Sequence, residues 1–432
     1  MQKRPSGPDM AKSVMRPTFF FFGLIYSSLL FLLLFLEDRV SLFGISLSNV
    51  WKSGLVLLLS FLVALRFHSK VPIIVALPVL YALLYPFGTT TGITTQGLEA
   101  CIVLLMLPLS YYSTLILFRN SPDQLWGVVI GLSGFIVISA IPFIMGWISP
   151  AQHLIQGRGD FAAAYGSDRS MLIAFYKHAS YSSKTFAIAT AIVLFAWFSD
   201  SKNAIQREIG YACLAGLGLL CLYLTFVRTG WVILLFIIAY GAFRTRTVFS
   251  PRVIILLAVV VAGVAFLLYN DPSFVNRLLG RRLESPEQAL LVQISSGRVL
   301  IYREIWAHFT AQGALGWLVG LGDKGLYTAM SGIAPHNFLL QSLAVSGVPG
   351  LAILLAFFGY WRKSILSNVL DSDLMHFNLA LFYAMLFSSI VSHGLGLYGN
   401  FLLGTYLAYS RLQSNVQQRA DLPSNSISLQ PR

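Results

Sequence analysis

The sequence predicts an all-α polytopic membrane protein, on three observations. Hydrophobic residues fill 56% of the 432 positions and charged residues only 11%, whereas soluble domains keep apolar residues near half and charges near a quarter. The apolar runs repeatedly reach about 20 residues, the length a helix needs to cross a hydrocarbon core about 30 Å thick. Strand-length alternation is absent, which argues against a membrane barrel. The net charge of +13 is scattered among loops between these runs. It therefore suits membrane lipids and anionic lipid-linked substrates better than nucleic acid.

The length rule places spans at about 18–36, 48–65, 71–87, 97–118, 125–148, 184–199, 208–227, 229–243, 252–270, 336–360, 376–392 and 397–412, about twelve in all. Residues 1–17 form a basic tail carrying Lys3, Arg4, Lys12 and Arg16. The run after it is long enough to span and no small-residue cleavage site follows, so it reads as a first transmembrane helix rather than a cleaved signal. An even number of spans puts both termini on one side. Arg66, Lys70, Arg119, Lys202, Arg207, Arg244, Arg362 and Lys363 then all fall on that same side, which the positive-inside rule makes cytoplasmic. Residues 18–270 hold the first nine spans with an external loop at about 149–183, and residues 271–335 form a second, larger external loop. Residues 336–412 hold the last three spans, and 413–432 form a polar, disordered tail. Cys101, Cys213 and Cys221 lie inside apolar runs without paired or metal-ligand spacing and read as core residues.

Both external loops are rich in cations, with Arg158, Arg169, Lys177 and Lys184 in or bordering the first and Arg277, Arg281, Arg282, Arg298, Arg303 and Lys324 in the second. Long loops are partly exempt from the positive-inside rule, so these residues suit either tolerated surface charges or a cationic chamber. Within 288–312, Val299, Tyr302, Trp306 and Phe309 recur at helical spacing and predict an amphipathic helix on the membrane surface. Gly316, Gly320, Gly322 and Gly325 then predict a flexible return to the next span.

That span opens at Pro335-His336-Asn337. Proline favours the first helical turn, so Pro335 reads as a start signal and His336 falls in that turn. There the helix dipole disfavours an imidazolium and favours anions, the setting for a general base beside a phosphate site. Arg228 sits where the run from Ile209 to Phe243 is too long for one span, predicting a turn at 228–230. Arg298 follows Ser295-Ser-Gly297 at the start of the amphipathic helix. Guanidinium groups bind phosphate oxygens in bidentate fashion, so the two arginines suit a pyrophosphate clamp. The alternatives are a snorkelling residue at a helix end for Arg228, a lipid-headgroup contact for Arg298 and a loop cap for His336. Arg158, Lys177, Tyr302 and Asn337 are further candidate substrate contacts. A carboxylate-rich cluster, a His/Cys ligand set, a Walker loop and a dinucleotide fingerprint are all missing from the sequence, which predicts chemistry without metal or cofactor.

These residues carry a resemblance. The order Thr225-Phe-Val-Arg-Thr-Gly-Trp231, Ser296-Gly-Arg298, Trp306, Gly320-Leu-Gly322 and His336, eleven positions before Gly347, resembles the bacterial O-antigen ligase family, in the group that includes O-antigen polymerases. The resemblance implies a GT-C-like glycosyltransferase of the inner membrane with a periplasmic active site. Its donor would be an O-antigen glycan on undecaprenyl pyrophosphate and its acceptor a sugar hydroxyl of the lipid A core. It further implies that Arg228 and Arg298 bind the pyrophosphate and that His336 activates the acceptor hydroxyl. Two positions depart from the family pattern: Tyr302 stands where a leucine is frequent, and Ser388-Ser-Ile-Val-Ser-His393 stands where a carboxylate is frequent. A polymerase using the same donor, a transporter or flippase of a lipid-linked anion, and a noncatalytic scaffold are the competing readings.

Overall fold

The computed structural model describes residues 72–119, 121–147, 179–199, 205–225, 227–245, 298–331, 337–368, 372–391 and 394–420, with isolated positions among 41–63, 172–174 and 262–270. A two-residue antiparallel pairing joins β1 (Ser41–Leu42) to β2 (Ile45–Ser46). The remaining described elements are helices: α1 (Ile73–Leu84), α2 (Thr95–Leu117), α3 (Pro122–Ile138), α4 (Ile141–Ile144), α5 (Ala179–Ser199), α6 (Ile205–Thr225), α7 (Arg228–Thr245), α8 (Arg298–Ala311), α9 (Gly313–Val319), α10 (Asp323–Ala329), α11 (Phe338–Asn368), α12 (Ser372–Val391) and α13 (Gly396–Ala420).

Six spans among the described residues are long and apolar enough to cross a membrane: one each in α2, α5, α6, α11 and α12, and one running from α3 through α4. The chain is thus a helical integral membrane protein, with fewer qualifying spans than the twelve expected. The expected spans at 18–36, 48–65 and 252–270 fall almost wholly outside the described residues. Helices α1 and α7 are apolar but short.

Helix α13 fails the apolarity test for a different reason. It packs against α2, α3 and α5, which buries its polar residues Asn400, Thr405, Ser410 and Ser414 inside the bundle. Asn400 donates to the Val103 carbonyl at 2.8 Å, Asn378 donates to the Ser410 hydroxyl at 2.5 Å, and Ser414 donates to the Ser410 carbonyl at 3.0 Å. Pairing of this kind is what a low-dielectric interior demands of polar groups. Stacked rings seal the same core: Trp126 on Tyr409 at 4.6 Å and Phe195 on Phe377 at 4.1 Å. Of the cysteines, Cys101 and Cys221 are buried as expected, whereas Cys213 is exposed on the outer surface of α6.

The segment expected to be a flexible glycine-rich return is instead a tight backbone crossing. Helix α11 breaks at Gly347, whose φ of 64° and ψ of −164° are non-helical. Pro349, two residues on, has no N–H to offer the carbonyl four residues earlier, at Val345. The carbonyls of Ala344 and Val345 are taken up instead by the N–H groups of Leu321 and Gly322, at 2.7 and 2.9 Å. On its other side, residues 320–321 accept bonds from the N–H groups of Thr89 and Thr90, at 3.0 and 3.1 Å. The three-residue segment between α9 and α10 is therefore held from both sides. The carboxylate of Asp323, 4% exposed, accepts from the Thr94 N–H at 2.5 Å, which fastens α10 to the N-terminus of α2.

Candidate active site

Several helices begin or end together at one end of the bundle. Helices α2 and α13 run parallel, with Asn400 bonded to Val103 and Gly404 against Ser110 and the Leu107 carbonyl. The N-termini of α13 and α5 meet where Gly396 lies against the Tyr181 ring. The start of α7 joins them: Gly230 lies so close to α5 that a Cβ there would come 2.8 Å from the Ser183 carbonyl oxygen. Residues 228–230, expected to form a turn, are instead the first residues of α7. Arg228 is the first residue of α7, half-buried beside that contact.

Arg298 opens α8 at the same end. Its Nη1 donates to the carbonyl of Val391, the last residue of α12, at 2.6 Å. A cation on the C-terminal carbonyl of a helix is favourable to the dipole and fixes the guanidinium in place. Tyr302 stands one turn further along, half-buried. Burial pushes its phenol up from the ordinary range, with nearby Arg298 pulling the other way, so the hydroxyl stays protonated and able to donate at neutral pH. The apolar seam of α8 runs through Ile305 and Phe309, which are buried, and Trp306 lies outside it at 45% exposure. The expected stripe was thus offset by part of a turn. Trp306 packs edge-on against Trp317 of α9 at 5.8 Å.

The start of α11 corrects a further expectation. Asn337 is not helical; its side-chain oxygen accepts from the Leu340 N–H and its carbonyl from the Gln341 N–H, both at 2.9 Å. Asn337 therefore caps the helix, whose first residue is Phe338. Pro335, His336, Arg158 and Lys177 themselves lie outside the described residues. The beginning of α11 is anchored by Gln341, which donates to the Tyr85 hydroxyl at 2.6 Å, and by Phe338 edge-on to Tyr81 at 6.1 Å.

Two residues escaped the sequence reading. Lys184, assigned to the border of the first external loop, lies in the second turn of α5 and is fully buried. Its ammonium donates to the Gly394 carbonyl, sits 5.0 Å from the Tyr181 ring centre, and interacts electrostatically with Arg298. The signal was present: an ionisable residue inside a membrane span is a functional candidate by default. Glu99 of α2, half-buried, lies near enough to Tyr181 to act on it electrostatically.

The same end of the bundle thus gathers Arg228, Arg298 and Lys184 among several helix N-termini, a setting that attracts anions. Residues 213–355 match the family model described as O-antigen ligase. No curated protein matches the chain. The matched stretch begins within α6 and ends just past the break in α11, taking in Arg228, Arg298 and the crossing at Gly320–Gly322. Over residues 213–355, about a third of its length, the chain is thus similar to the O-antigen ligase family.

Proposed function

We propose that this protein is an O-antigen ligase: it transfers a glycan from undecaprenyl pyrophosphate to a sugar hydroxyl of the lipid A core, at the periplasmic face of the inner membrane, within a GT-C-like architecture. The observation that carries the reading is the placement of Arg228 and Arg298 at the starts of α7 and α8, at one end of the bundle. A lipid pyrophosphate is already an activated leaving group. What the protein must supply is orientation, stabilisation of the leaving charge and removal of one proton.

In the step proposed, the acceptor oxygen bonds to the anomeric carbon as the bond from that carbon to the pyrophosphate oxygen breaks. His336 takes the hydroxyl proton, and the two arginines hold the departing undecaprenyl pyrophosphate. A single displacement of this kind inverts the anomeric centre. A transporter would use the break in α11 to line a passage, but the carbonyls freed there are filled by the backbone of residues 321 and 322, which favours a fixed scaffold.

The test supplies the purified full-length protein with lipid-linked donor, either alone or together with lipid A core. Ligase activity predicts glycan joined to the core with the anomeric configuration inverted. Elongation of the donor with no transfer to the core would make the protein a polymerase instead, and a retained configuration would contradict the single displacement. In the same assay, Arg228→Ala and Arg298→Ala should each lower kcat/KM for the donor by about ten- to one-hundred-fold, the worth of a charge-assisted hydrogen bond. Lysine at either position should recover part of this loss only, because it cannot bind in bidentate fashion. Unchanged donor kinetics in all four variants would remove the clamp.

A further inference from the structure

Lys184 and Arg298 come from helices far apart in sequence, yet both rest on the connection between α12 and α13. Arg298 donates to Val391 at its start and Lys184 to Gly394 within it. Neutral carbonyls anchor both cations, while the two charges act on each other. A fully buried ammonium is costly to desolvate, and an apolar side chain of similar size is often as stable or more so at such a position. The second cation therefore needs a purpose beyond holding a turn.

We infer that Lys184 is a positioning residue for the anionic donor: it holds Gly394, three residues from the Val391 carbonyl on which Arg298 rests, and adds a second positive charge near Arg298 without touching the donor. This rests on the ligase reading above and extends it. An anion bound at Arg298 would offset the mutual repulsion of the two cations, so the contribution of Lys184 grows with the charge of the ligand.

The experiment measures binding of farnesyl pyrophosphate, farnesyl monophosphate and farnesol to the full-length protein in detergent, for wild type, Lys184→Met and Lys184→Gln. Both variants should fold. Their affinity for the pyrophosphate should fall about ten-fold, the monophosphate should lose less and farnesol nothing. Lys184→Arg should restore the preference for the pyrophosphate. Equal losses for all three ligands, unchanged pyrophosphate affinity, or failure of both neutral variants to fold would each make Lys184 a structural residue only and overturn the inference. If wild type itself showed no preference for the pyrophosphate over farnesol, the ligase reading would fall first.

Discussion

Gly320→Ala should leave the protein unable to accumulate in the membrane in folded form. Gly320 has a φ of 75° and a ψ of −174°, a region open in practice only to glycine. A Cβ there would lie 2.2 Å from the Val345 carbonyl oxygen and 2.7 Å from the Gly347 nitrogen. Both neighbours are backbone, so no side chain can swing aside. Backbone strain and overpacking together amount to about 3 kcal/mol or more. Relief would pull residues 321 and 322 away from Ala344 and Val345, leaving carbonyls unpaired inside the bundle. Gly359→Ala is the matched control. It lies on α11 where an added Cβ would meet open space, and alanine is the better helix former, so stability should hold or rise by up to about 1 kcal/mol. The yield of folded, detergent-extracted protein checks both variants, with thermal unfolding of Gly359→Ala against wild type; equal yield and stability for the two variants would mean that the crossing does not hold α11.

His336→Ala should abolish most glycan transfer while leaving fold and donor binding intact. A sugar hydroxyl is a poor nucleophile until its proton is removed, and a positioned base contributes about 100- to 10,000-fold to such a step. The loss should therefore appear in kcat, with donor KM little changed, the opposite split to that expected for the arginine variants. The bonds that cap α11 are made by Asn337 to Leu340 and Gln341, and replacement of His336 leaves that residue in place. Transfer at the wild-type rate by His336→Ala would take the histidine out of the mechanism.

The membrane class and six of the spans were legible because apolar run length maps directly onto helix length. Helices α1, α2, α5, α6, α7 and α12 all lie within a few residues of the expected spans. Helix ends were less legible, because side-chain bonds set them: Asn337 moves the start of α11 past Pro335, and α5 begins at Ala179, which takes Lys184 out of the loop and into the bundle. The glycines at 320 and 322 were visible but misread. Local sequence cannot distinguish a loose glycine-rich loop from a close backbone crossing whose other half lies at residues 344–347. Arg228, expected in a turn, opens α7 instead, whereas the placement of Arg298 at a helix start was legible from the pattern flanking it. The pairing of Arg298 with Val391 and of Lys184 with Gly394 was not, since each joins segments far apart in the chain.

The central claim is that this end of the bundle holds a lipid pyrophosphate. A structure of the full-length protein with a bound prenyl pyrophosphate tests it most directly. The account predicts phosphate oxygens within hydrogen-bonding distance of the Arg228 and Arg298 guanidinium groups, on the side of the bundle where α11 begins. A pyrophosphate bound elsewhere, with both arginines left out of contact, would contradict it.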